Sequence, residues 1–89
     1  MRAYIFVEAK PGAAGRLAAE MARISSAAFR VLSVDTVTGL HDIIAIAEAR
    51  DAEAIGKDLL PRLHQLPGLE NTLSCLVLPT GAKSHDEQR

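Results

Sequence analysis

The chain has 89 residues, 48% of them hydrophobic and only 3% aromatic, with a formal charge of -1 at pH 7. That length holds one domain and one core, because so small a chain buries only about 60% of the surface its unfolded form exposes. A pI near 6.3 and the absence of any Lys/Arg cluster exclude a phosphate-gripping surface, so nucleic acid is not expected as a direct partner.

"RAYIFVEA" (2 to 9) is short, β-branched and aromatic, and reads as the first strand, with "KPG" (10 to 12) as the turn that ends it. From Ala13 the apolar positions Ala14, Leu17, Ala18, Met21 and Ile24 recur at helical spacing in an alanine-rich segment, which predicts a helix to about Ser25. "SSAAFR" (25 to 30) is a junction, and "VLSVDTVT" (31 to 38) is the second strand, stopped by Gly39. "DIIAIAEA" (42 to 49) is the third, so the residues around Gly39 form a hairpin. Asp51 is placed to cap a second helix carrying Ile55, Leu59, Leu63 and Leu66 on one stripe, with Pro67 and Gly68 as its stop. Pro61 lies inside that helix and predicts a kink, not an end, because it cannot donate to the Lys57 carbonyl. "LENTLSCLVL" (69 to 78) is strand four, and residues 79–89 read as a flexible polar tail after a domain spanning 1–78.

The order βαββαβ predicts an α+β, ferredoxin-like sandwich: a four-stranded antiparallel sheet with both helices on one face. The strands alternate apolar with apolar, Ile5 and Val7 against Tyr4 and Phe6, Ile43 and Ala45 against Ile44 and Ile46. A lone copy therefore exposes an apolar sheet face, which predicts association through it. No apolar run approaches the roughly 18 residues that span a bilayer, and the N-terminus enters a strand at once, so a cytoplasmic protein without membrane contact is expected.

Few residues offer chemistry. His41 and Asp42 are neighbours, so an extended chain sends their side chains to opposite faces. His64 and His85 have no metal-ligand spacing, and no metal or cofactor is expected. Cys75, the single cysteine, sits at an alternating strand position and reads as a small buried hydrophobe. Tyr4 and Phe6 lack the aromatic partners on strand three that stacking RNA bases needs. The turn remains: a glycine followed by a carboxylate can offer backbone N–H groups to an anion and an acceptor to an ammonium group, a combination suited to a zwitterion. Spacing alone favours a plain hairpin whose Asp satisfies backbone donors.

"AYIFVEAKPG" (3 to 12), "VLSVDTVTGLHDIIAIAEA" (31 to 49) and "LPGLENTLSCLVL" (66 to 78) together resemble the effector-binding, or RAM, domain of the Lrp/AsnC family of regulators. The second block matches its V-T-G-x-x-D-hydrophobic run; the third matches its P-G-V/L-x-x-T-x-T/S segment. The resemblance implies dimers paired sheet to sheet, assembly of dimers into rings, and amino-acid effectors held between dimers near the glycine turn. It assigns ligand contacts to Gly39, Leu40, His41 and Asp42 in the turn and to Thr72 and Ser74 on strand four. Two departures stand out: the junction "RISSAAFRV" is longer than the usual link, and the helix-turn-helix that normally precedes the domain is absent from the sequence, as in the stand-alone type.

The reading that follows is a non-enzymatic, oligomeric amino-acid sensor linked to transcriptional regulation of amino-acid metabolism. The alternative is a small dimeric α+β-barrel enzyme of the antibiotic-biosynthesis monooxygenase type, with its chemistry between helices and sheet; fold alone does not choose between them. A third reading makes the chain a partner that co-assembles with full-length Lrp-type regulators.

Overall fold

A computed structural model describes residues 1–79, so the tail expected over 79–89 lies, but for Pro79, outside the described residues. The strands are β1 (Arg2–Ala9), β2 (Phe29–Thr36), β3 (Ile43–Ala49) and β4 (Leu69–Leu76), and they form one antiparallel sheet in the order β2-β3-β1-β4. The first helix, α1, spans Ala14–Met21; the second, α2, is a helical run in three parts, Ala52–Ala54, Ile55–Leu59 and Leu60–His64. This is the ferredoxin-like arrangement that the element order predicts.

The alternation of each central strand decides which side faces the helices. Ala3, Ile5 and Val7 on β1 and Ile43, Ala45 and Ala47 on β3 are almost wholly buried, packed with Leu17 and Met21 of α1 and Ile55, Leu59 and Leu63 of α2. That core is entirely apolar: among the described residues no polar or charged side chain is buried. The alternate residues, Tyr4, Phe6, Ile44 and Ile46, fall on the face without helices and keep part of their surface in contact with solvent.

Three local outcomes refine the sequence reading. Helix α1 stops at Met21 instead of continuing to Ser25, because the Arg23 and Ile24 amides turn back to the carbonyls of Glu20 and Met21. The chain then forms a small corner in which Ser25 bridges to Arg30, the Ser26 amide donates to the Phe29 carbonyl and the Ala28 amide to Ser26 Oγ. Strand β2 consequently begins at Phe29, two residues before the apolar alternation suggested. In α2 the expected disturbance at Pro61 takes the form of a π-helical turn over Ile55–Leu59, where the Leu60 amide donates to the Ile55 carbonyl five residues back. Pro61 has no amide for the Lys57 carbonyl, and the widened turn eases the crowding of its ring against that oxygen. The helix starts as expected, with Asp51 Oδ1 accepting the Ala54 amide at 2.8 Å.

Gly68 ties the two halves together at one end of the sheet. Its carbonyl accepts the Lys10 amide at 2.8 Å, its φ is +91°, and a Cβ there would lie 2.7 Å from Ala13 Cβ. Only glycine fits.

Candidate functional site

The hairpin between β2 and β3 is closed by the Val37 amide, which donates to the Asp42 carbonyl at 2.9 Å. Gly39 takes φ +133°, a region that side chains avoid, and a Cβ on it would meet nothing within 4 Å, so the backbone here is openly presented. Leu40, at 92% exposure, projects from the tip. The amides of Gly39, Leu40 and His41 donate to no protein group among the described residues. The turn therefore carries unspent donors, as an anion-accepting loop requires.

Asp42 is fixed from two directions. Its amide donates to the Val7 carbonyl at 2.9 Å, and its carboxylate Oδ2 accepts the Ala9 amide at 2.8 Å. The turn is thus fastened to the end of β1 at two points, and the carboxylate's other oxygen accepts no hydrogen bond among the described residues. The two sequence readings of this aspartate are compatible: one oxygen satisfies a backbone donor, the other is available. His41 lies over Phe6 on the open face of the sheet, ring centroids 5.3 Å apart and tilted by 48°.

Thr72 and Ser74 stand on β4, beyond β1. Thr72 pairs with Val7 and Ser74 with Ile5, so both share the helix-covered face with those residues. Because Val7 also receives the Asp42 amide, Asp42 and Thr72 stand at one level of the sheet with β1 between them, about 10 Å apart by two strand spacings. Thr72 Oγ1 shares a hydrogen bond with His64 Nε2 at 3.0 Å. That histidine is not among the residues the sequence nominates, since an eight-residue separation across a helix-to-strand link leaves no periodic signal. The fold brings the four turn residues and Thr72 to one end of the sheet, leaves Ser74 further along β4 at the level of Ile5, and divides the candidates between two faces. His41 is on the open face and the two hydroxyls are on the covered one, and no enclosed cavity joins them among the described residues.

One concave feature adjoins the turn and another lies far from it. A broad depression covers Thr36, Val37 and Thr38, directly before the glycine. A cleft of about 250 Å³ opens at the opposite end of the sheet, between the Ser26–Arg30 corner and Glu48–Arg50. Cys75 corrects an expectation: it is exposed, not buried. It pairs with Tyr4 on an edge strand and so falls on the face that no helix covers.

The family model of the Lrp/AsnC ligand binding domain matches residues 2–85. Among solved structures, TTHA0845 from Thermus thermophilus is similar at 21% identity and a TM-score of 0.78, over 92% of this chain and 98% of its own. AsnC of E. coli gives 15% and 0.77, over 93% of this chain and 54% of its own. The transcriptional regulator NMB0573 of Neisseria meningitidis, solved as an L-Met complex, gives 25% and 0.72, over 94% and 53%. The chain thus spans nearly all of TTHA0845 and about half the length of the two regulators. No curated protein matches it.

Proposed function

The chain belongs to the Lrp/AsnC ligand binding domain family, and from that premise we propose that it is a non-enzymatic sensor of free amino acids, acting within transcriptional regulation, whose effector meets the Gly39–Asp42 turn. The observation that carries the reading is the anchored Asp42 carboxylate: one oxygen holds the Ala9 amide and the other is left for an ammonium group. The open amides of Gly39, Leu40 and His41 supply donors for the same ligand's carboxylate. An amino acid satisfies both. NMB0573, of similar fold, has been solved with L-Met, which supports the ligand class.

Assembly belongs to the same reading. Two copies cover the apolar sheet face in a dimer, dimers join into a ring, and Thr72 and Ser74 complete an effector site from across the contact between dimers. Such a site explains why the six residues face two ways in one chain. Association with full-length Lrp-type regulators would carry the signal to DNA. The enzymatic alternative is disfavoured because its reaction space, between helices and sheet, is filled by Ile5, Leu17, Met21, Leu59 and Leu63, with no buried polar group among the described residues.

Calorimetric titration of the purified chain and of Asp42→Asn with each of the twenty amino acids tests the proposal. At least one amino acid should bind the parent and lose at least about tenfold in affinity in the variant, the loss of roughly one charge-assisted hydrogen bond. Failure of all twenty to bind, or equal binding by Asp42→Asn, would overturn it.

A further inference from the structure

At the end of the sheet far from the glycine turn, the cleft of about 250 Å³ is walled by the Ser26–Arg30 corner on one side and Glu48–Arg50 on the other. The Arg50 amide donates to the Ala28 carbonyl at 2.8 Å, and Arg30 stands opposite Glu48. Ala28 is thus level with Arg50, which makes Arg30 and Arg50 diagonal neighbours on adjacent strands, about 7–8 Å apart and within reach of one small ligand. Between them Ala27, Ala28 and Ala49 give the cleft apolar walls without the bulk to fill it.

The charges around this cleft are unequally engaged. Arg2 Nε donates to Glu48 Oε2 at 3.1 Å. Asp51 accepts the Ala54 amide through Oδ1, and its Oδ2 lies 3.6 Å from Arg50 Nε, an exposed contact worth little that leaves Arg50 available. Arg30 is exposed and has no ion-pair partner among the described residues. Three guanidinium groups, Arg2, Arg30 and Arg50, therefore stand against two carboxylates, Glu48 and Asp51, with one positive charge in excess. Neutral donors add to it. The Ala27 amide donates to no protein group among the described residues, and Ser26 Oγ, which accepts the Ala28 amide at 3.1 Å, keeps its own proton to give.

A guanidinium fork matches a carboxylate, and one excess positive charge matches a monoanion. An ammonium group on the same ligand finds no open carboxylate here, since Glu48 and Asp51 are both engaged, and it meets three like charges. These requirements are the reverse of those at the turn, where Asp42 leaves one oxygen open. We propose that this cleft is a second binding site, for a small organic acid with a short apolar body and no ammonium group, its carboxylate held by Arg30 with Arg50 and Ser26 beside it. The site stands apart from the amino-acid reading of the turn and does not depend on it.

Amide NMR titrations of the whole chain test it, with isovalerate as the probe. The comparison ligands are valine, which is isovalerate with an ammonium group on its α-carbon, isoamyl alcohol as the uncharged analogue, and inorganic phosphate. Isovalerate should bind saturably with a dissociation constant of about 1 mM, as suits so few atoms. It should shift the amides of Ser26–Arg30 and Glu48–Arg50 and leave those of Gly39–Asp42 in place. Valine, the alcohol and phosphate should each bind at these amides at least about tenfold more weakly. Arg30→Gln should weaken isovalerate by at least about tenfold, the loss of a charge-assisted contact, with the rest of the spectrum unchanged because Arg30 is exposed on an edge strand. Glu48→Gln removes a negative charge beside the fork and should tighten binding, and Arg16→Gln, on α1, should leave it as it is. No saturable shift at these amides up to tens of millimolar, or equal binding by Arg30→Gln, overturns the site. Equal binding there of valine, the alcohol or phosphate overturns the ligand class assigned to it. An amino acid that binds at the turn while the cleft stays silent refutes this site and leaves the proposed function standing.

Discussion

Asp42 combines two roles that a single substitution can separate. Its Oδ2 holds the Ala9 amide across the end of the sheet, at 2.8 Å. Asp42→Ala leaves that half-buried amide without its partner, at a cost of about 1 to 2 kcal/mol. In a domain of this size that lowers the melting temperature by roughly 4–8 °C per kcal/mol. Asp42→Asn retains an amide oxygen for Ala9 and should melt within about 2 °C of the parent, on the same scale. Thermal melts of the three chains check this. Equal losses in Ala and Asn would mean that the carboxylate charge, and not the hydrogen bond, holds the turn. The contrast also protects the ligand test, since Asp42→Asn removes charge while keeping the geometry.

The second helix shows how one residue reshapes an element. Ile55 and Leu59, the first and last residues of the π-helical turn, form the buried stripe with Leu63 of the turn that follows. Pro61 is exposed, so its cost falls on the backbone and not on packing. Pro61→Ala restores an amide donor and removes the ring from the Lys57 carbonyl. Against about 3 kcal/mol for proline inside a helix stands the loss of its restriction on the unfolded chain, worth roughly 0.4–1 kcal/mol, and part of the strain is already relieved by the wide turn. A net gain of about 1 kcal/mol is expected from denaturant unfolding, with the new amide protected from hydrogen exchange. A lower stability in the variant would show that the core requires the wide turn.

For the whole molecule, the two sides of β3 have different fates. Ile43 is fully buried under the helices, whereas Ile46, three positions on, lies on the open face and remains half-exposed. Ile43→Lys buries an unpaired ammonium group and should abolish the cooperative fold. Ile46→Lys leaves the monomer folded and places its charge at the centre of the proposed dimer contact, so sedimentation should find a folded monomer. A dimer that survives Ile46→Lys would place the contact elsewhere on the molecule.

The sequence by itself determined the element order and the sheet: apolar alternation, the stops at Pro11–Gly12, Gly39 and Pro67–Gly68, and the cap at Asp51 all act through neighbours a few residues away. The match to the Lrp/AsnC domain confirms the family that the turn and the strand-four segment suggested. Tertiary structure alone decided which groups the candidate residues touch. The Ala9 amide that occupies Asp42, the Phe6 ring beneath His41 and the His64 side chain beside Thr72 come from distant segments. Their partnerships depend on strand pairing and helix packing, which no local pattern encodes. Cys75 departs from its expected burial for the same reason. Alternation assigns a strand residue to one of two faces, but only the placement of both helices on one side of the sheet decides which of those faces is buried.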